Sequence, residues 1–183
     1  MNNKGFTLIE LIMIILILAM LAVLTTPNVI SYINKNKVDN YNSTIESIIE
    51  ATEIYVSEHR YELTFKNSTG AIDSCTPGEI NDIYAYINAG GTLRNIQLGD
   101  LIDSKDLQST TKDATNKETI ENSCNKEAIN RNTKIKVTLN CTTKQFSYAI
   151  LYDPSTTNLK NDATITESDG KIKTGEKCSD LYG

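Results

Sequence analysis

The hydrophobic pattern changes character three times along the chain. From Phe6 to Leu24 every residue is apolar except Thr7 and Glu10. From Asn28 to about Arg60 there is no Gly and no Pro, and Val38, Tyr41, Ile45, Ile48, Ile49, Ile54, Tyr55 and Val56 recur at steps of three and four. Asn36, Asp39, Asn40, Ser43, Ser47, Glu50 and Glu53 fall on the other side, so this stretch predicts an amphipathic helix. Late in the chain the period drops to two. Ile135, Val137, Leu139 and Cys141 alternate with polar residues, and after a turn at 142–144 Phe146, Tyr148, Ile150 and Tyr152 do the same. Two such runs joined by a short polar turn predict an antiparallel hairpin, which Asp153-Pro154 ends.

The first run is about the ~20 residues a helix needs to cross a ~30 Å hydrocarbon layer. A single Glu in it costs about 2.5–3.5 kcal/mol at mid-depth, less near a face, while each Leu or Ile returns roughly 0.3–0.6 kcal/mol. The apolar sum wins, and Glu10 then needs a partner. Residues 6–60 as one rod would be about 80 Å long at ~1.5 Å per residue. A domain of this size cannot bury such a rod, so its first half must be covered by lipid or by other copies of itself. Pro27 removes one backbone bond and crowds the carbonyl of Val23, which predicts a kink. It equally suits the first turn of a second helix capped by Thr26.

Between helix and hairpin the signals are local. Lys66–Gly70 reads as a loop. Thr76-Pro77-Gly78-Glu79 has the form of a capping box, with Ile80, Ile83, Tyr84 and Ile87 on one face and Gly90-Gly91 as a stop, predicting a second helix. A third helical turn is expected around Leu98–Leu107. Ser109–Lys126 reads as exposed loop, with a short helix around Lys117–Asn122. Ala163–Thr166 and Lys171–Lys173 flank Asp169-Gly170, which suggests a weaker edge hairpin. The order of elements is α+β.

Five residues, Met1-Asn2-Asn3-Lys4-Gly5, precede the apolar run. The run is longer than that of a secretory signal, and no small-residue cleavage site follows it. A cut between Gly5 and Phe6 would keep the helix and create an amine at Phe6, one turn from Glu10. In a bundle of identical helices that amine neutralises a neighbour's Glu10. At ~4 Å and an effective dielectric of ~20 the attraction is about 4 kcal/mol before desolvation.

Lys4-Gly5-Phe6-Thr7-Leu8-Ile9-Glu10-Leu11 resembles the processing motif of type IV prepilins and pseudopilins. The resemblance covers about the first 60 residues. It implies a prepilin peptidase that cuts after Gly5 and N-methylates Phe6, and Glu10 in the assembly-glutamate position. Pro27 falls where many members carry a helix-interrupting proline. It further implies a pilin fold, in which a long N-terminal helix packs on a C-terminal antiparallel sheet. The partners it implies are further copies of this chain and other pilins in a helical polymer, a platform protein and an assembly ATPase.

Composition adds bounds. The 183 residues carry a formal charge of −5, which allows one modest domain after the anchor. No basic patch with interleaved aromatics points to nucleic acid. Cys75, Cys124, Cys141 and Cys178 form no Cys-x-x-Cys pair, which favours two disulfides in an extracytoplasmic head over free thiols or a metal site. Three connectivities are open; Cys141–Cys178 is the one that would tie the last segment back onto a strand. His59, the only histidine, reads as a solvated helix-end residue. Asp100, Asp103 and Asp106 read as a charged face before they read as cation ligands. The N-x-Ser/Thr triplets at Asn42, Asn67 and Asn140 are short patterns in an Asn- and Thr-rich chain. No catalytic residue, cofactor or metal ligand is assigned.

The expectation is a leader at 1–5, a transmembrane and filament-core helix at 6–27, its amphipathic continuation at 28–60 and an α+β head at 61–183. The chain is single-pass in a bacterial membrane before assembly and part of an extracellular filament afterwards, serving adhesion, surface motility or aggregation. Two rivals stand beside this. One is a minor pilin or a pseudopilin of a type II secretion or competence machine, although the resemblance implies a shaft position over a tip, since the family's tip-most subunits often lack the carboxylate that Glu10 supplies. The other is an unprocessed, membrane-anchored extracellular binding domain.

Overall fold

The computed structural model describes residues 7–67, 70, 75, 82–159 and 166–182, with the side chains of 24–28, 166 and 167 excepted. One helix, α1 (Leu8–Glu58), takes 51 of them. At ~1.5 Å per residue it is about 77 Å long, close to the expected rod. Its backbone is helical through Pro27, which corrects the alternative of a separate helix capped by Thr26. Only the second half of α1 meets the rest of the chain. Tyr41, Ile45, Ile48, Ala51, Thr52, Tyr55 and Val56 are buried there, while Ile54 lies off the stripe and stays exposed. Thr52 fits the buried stripe because its hydroxyl donates to the Ile48 carbonyl at 2.7 Å.

The head follows as β1 (Leu63–Lys66), β2 (Asp82–Ala89), β3 (Thr92–Arg94), β4 (Ile96–Gln97), α2 (Leu98–Asp103), β5 (Thr111–Lys112), β6 (Glu118–Thr119), β7 (Lys134–Asn140), β8 (Phe146–Tyr152), β9 (Thr166–Ser168) and a 3₁₀ turn at Cys178–Leu181. A seven-stranded sheet runs β1-β2-β7-β8-β9, with β3 alongside β2 and β4 alongside β7; β5 and β6 make a separate two-stranded sheet. All the pairings of the large sheet are antiparallel. The architecture is α+β with a long N-terminal helix on an antiparallel sheet, consistent with a pilin fold.

The expected hairpin is β7–β8, in register Ile135↔Ile150, Val137↔Tyr148 and Leu139↔Phe146. Along β7 every second residue, Ile135, Val137 and Leu139, is buried, because one face meets the core and the other meets water. That core joins Tyr41, Ile45 and Ile48 of α1 to Leu98 and Leu101 of α2 and to Ile135, Val137 and Ile150 of the sheet. A second, smaller cluster of Ile83, Leu139 and Cys141 has Phe65 and Cys75 packed against it.

Four expectations are corrected. The second helix is strand β2 from Asp82 onward; Thr76–Glu79 lies outside the described residues. Ile83 and Ala85 are buried on one face, and Gly90-Gly91, with φ of 61° and 84°, is a hairpin turn to β3 and not a helix stop. The segment 109–126 holds the β5–β6 hairpin and no helix, and it buries Thr119, Ile120 and Asn122. The weak second hairpin does not form: β9 pairs with β8, and 171–173 is not a strand. The bridges are Cys75–Cys141 and Cys124–Cys178, each with Cα atoms 5.2 Å apart, so Cys141 is not joined to Cys178. Cys141 follows β7 directly, and Asn140 pairs with Asp82 at the start of β2, so the chain end of β7 lies on the side of the sheet from which Cys75 comes.

Gly170 lets the last segment turn back across the core. Its φ is 80°, and a Cβ there would sit 2.9 Å from Ile45 Cγ2 and 3.0 Å from Ile150 Cδ1. Any side chain would meet both a left-handed backbone and a filled space.

Candidate assembly interface on the amino-terminal helix

Helix α1 begins at a closed local device. Thr7 is extended, with φ −76° and ψ 151°, and caps the helix. Its backbone N–H and its hydroxyl each donate to Glu10 Oε2 at 2.9 Å. The Glu10 N–H points back at Thr7 Oγ1, 3.4 Å away. This is a capping box, and it satisfies donors that the first helical turn leaves open. The carboxylate also lies at the positive end of the helix dipole. Both short contacts use Oε2; among the described residues Oε1 has no partner. The Thr-x-x-Glu spacing at Thr7 and Glu10 is the sequence signal for this box, and it stands beside the assembly-glutamate position that the resemblance implies for Glu10.

Above the cap the helix is apolar on every side and covered by nothing. Leu8, Ile9, Met13, Leu18, Met20 and Val23 are each more than half exposed, and so are Val29, Ile30 and Tyr32 further on. A helix that is apolar all round belongs inside something larger, and exposed apolar surface this continuous marks an interaction surface. Burial starts only near Val38. Among the described residues no helix is long and apolar enough to cross a membrane; the apolar run with described side chains is Leu8–Val23.

The other sequence candidates fall elsewhere. Gly5 and Phe6 lie outside the described residues, as does the Pro27 side chain. The three aspartates do not gather. Asp100 takes Arg94 through two 2.7 Å contacts, Asp103 takes Arg131 at 2.6 Å, and Asp106 takes the Ser104 hydroxyl. Asn67 and Asn140 use their side-chain oxygens to accept from nearby backbone N–H groups. At the head end of the rod, Lys171 meets Glu46 at 2.6 Å, and that bond raises the lysine's pKa.

Residues 1–26 match the family model for the prokaryotic N-terminal methylation motif. The chain carries the type IV prepilin signature. That motif indicates a type IV pilin-like or pseudopilin protein, and it implies processing by prepilin peptidase and assembly with other pilins. No curated protein and no solved structure matches the chain.

Proposed function

We propose that this chain is a structural subunit of a type IV pilus-like filament. It is made with the leader 1–5, held in a bacterial membrane by residues 6–27 and cut between Gly5 and Phe6, whose new amine is methylated. It then enters a helical polymer with residues 28–60 continuing the rod and the head 61–183 outside. A platform protein and an assembly ATPase drive that step. The observation that carries this reading is the two-part helix: an all-round apolar, uncovered half under the methylation motif, continuous with a half that is packed into the head. Lipid before assembly and neighbouring helices after it suit the same surface. Glu10 favours a place in the shaft over the tip.

The test is processing. Gly5→Arg removes the small residue at the cut, and full-length chain should then stay in the membrane fraction while the wild type yields a mature chain starting at N-methyl-Phe6. Amino-terminal mass spectrometry of both reads the result. Mature chains and filaments from Gly5→Arg would overturn the reading, and a wild-type chain that still begins at Met1 would favour an unprocessed anchor.

A further inference from the structure

At the carboxyl end of α1 a histidine and two carboxylates from different parts of the fold come together. One ligand atom each from Glu58, His59 and Asp106 lies within 4.8 Å of the other two. Glu58 and His59 close α1. Asp106 comes from the turn after α2, where Lys105 takes a φ of 72°, uncommon for a residue with a side chain.

The groups are held, not merely near. The His59 ring stacks on Tyr55 with centroids 4.4 Å apart, and Nδ1 faces Glu62 Oε2 at 3.3 Å. Ser104 Oγ donates to Asp106 Oδ2 at 2.5 Å. An imidazole with one nitrogen on a carboxylate and a carboxylate fixed by a hydroxyl are the outer contacts that metal-binding His and Asp residues keep. The charge also lacks compensation. The last turn of α1 has no basic residue, although the helix end carries negative partial charge. Among the described residues no Lys or Arg pairs with Glu58, Glu62 or Asp106: Arg94 is taken by Asp100, Arg131 by Asp103, and Arg60 lies over the Phe65 ring.

We propose that Glu58, His59 and Asp106 form a binding site for a divalent cation of the zinc class, with Glu62 as the positioning carboxylate. Nδ1–H donates to Glu62 and Nε2 takes the metal. An imidazole ligand selects Zn²⁺-like ions over Ca²⁺ and Mg²⁺, which prefer all-oxygen sites. Bonds of about 2.0–2.2 Å require the ligand atoms to draw closer than their present spread; Glu58 is exposed and free to turn inward. Three protein ligands leave the fourth position to water. The ion joins the end of α1 to the turn after α2, so its binding stabilises the folded head by mass action.

Titration calorimetry of ZnCl₂ into the full-length chain in non-ionic detergent, with thermal unfolding alongside, tests this. The wild type should take up one Zn²⁺ per chain and melt higher with it. His59→Gln and Asp106→Asn should bind at least about tenfold more weakly, and Glu62→Gln about 10–100-fold more weakly, each with an unchanged circular dichroism spectrum. Glu58→Gln provides a further arm should either of the first two fail to fold. No saturable Zn²⁺ uptake, uptake unaffected by His59→Gln, or CaCl₂ binding as tight as ZnCl₂ would each overturn the site and leave an ordinary acidic surface.

Discussion

The side-chain amide of Asn42 pairs with both backbone groups of Ile172, although the two residues are 130 apart in sequence. Asn42 Nδ2 donates to the Ile172 carbonyl at 3.0 Å, and the Ile172 N–H donates to Asn42 Oδ1 at 2.8 Å. One helix residue thus stands in for a strand neighbour and holds the C-terminal segment on α1. Ile172 itself is buried, so its polar backbone atoms need these partners.

Asn42→Ala should destabilise the head by about 1–3 kcal/mol, the range for leaving buried polar groups unpaired. Asn42→Asp should do no better. Its carboxylate still accepts from the Ile172 N–H but faces the Ile172 carbonyl with a second acceptor. Urea unfolding of the full-length chain in detergent checks both; two variants as stable as wild type would show that the pair is incidental. The same geometry bears on the sequon at Asn42. Nδ2, the atom a glycan would take, is held against the Ile172 carbonyl.

The bridges give a second prediction. Cys124–Cys178 spans 54 residues, for which loop entropy alone gives about 4 kcal/mol and experience about 2–4 kcal/mol. It secures the region where the Tyr182 hydroxyl accepts from Asn122 and donates to the Leu159 carbonyl at 2.8 Å. Replacing both Cys124 and Cys178 by Ser should lower the unfolding midpoint by a corresponding amount. Non-reducing peptide mapping should recover Cys75 linked to Cys141 and Cys124 linked to Cys178; a peptide joining Cys141 to Cys178 would refute the arrangement.

These contacts mark the boundary between what the sequence made legible and what it did not. Helix α1 and the β7–β8 hairpin were readable because one face of each is buried over a long stretch, so the period survives in Tyr41-Ile45-Ile48 and in Ile135-Val137-Leu139. Strand β2 was misread for a physical reason. Ile80, Ile83, Tyr84 and Ile87 satisfy a helical step, and the alternation that decides the matter runs through Ala85, too small to register as a core residue. Gly-Gly then served either as a helix stop or as a hairpin turn. The β5–β6 hairpin hid because its buried strand residue, Thr119, is polar and the adjoining Ile120 is a single apolar position without a period; Thr119 gains its place by donating to the Ile129 carbonyl at 2.6 Å. Disulfide pairing and the Asn42–Ile172 contact depend on tertiary approach and leave no local trace. The exposed apolar half of α1 was legible, since an unbroken apolar run needs no partner to be seen.

Acid sensitivity supplies a third prediction. Asp153 follows β8 and accepts from the Ser155 hydroxyl at 2.5 Å, the Lys134 ammonium at 2.9 Å and the Ser155 N–H at 3.0 Å. The Ser155 hydroxyl first, then Lys134, hold its pKa down from 3.8 to about 2. Between those values the unfolded chain binds the proton and the folded chain does not, so stability rises with pH. The contribution is fully present above about 4 and is lost as pH falls through about 2. The gap in urea midpoint between wild type and Asp153→Asn should therefore narrow from pH 5 to pH 2. A gap that stays constant across that window would mean that the carboxylate's charge contributes nothing.

The last prediction separates two roles for Glu10. Within its own chain the carboxylate caps α1 through Oε2, and an amide oxygen can accept the same two bonds from Thr7. Glu10→Gln therefore keeps the cap and nearly the same shape while it removes the charge. Glu10→Leu removes both. If capping were the whole role, the Gln variant would build filaments and only the Leu variant would fail. If the charge instead offsets the Phe6 amine of a neighbouring subunit, both variants lose an attraction of about 4 kcal/mol before desolvation at every added subunit. Both should then accumulate as processed, membrane-held monomer with few or no filaments. Insertion should not suffer in either, since each removes the one charge from the apolar run. The head should stay folded, because burial on α1 begins near Val38, far along the rod from Glu10. A shear-and-pellet assay beside a membrane-fraction blot, in cells where the variant is the sole copy, reads both quantities. Normal filaments from Glu10→Gln would reduce Glu10 to a helix cap, and loss of the membrane pool would place the defect in insertion or folding.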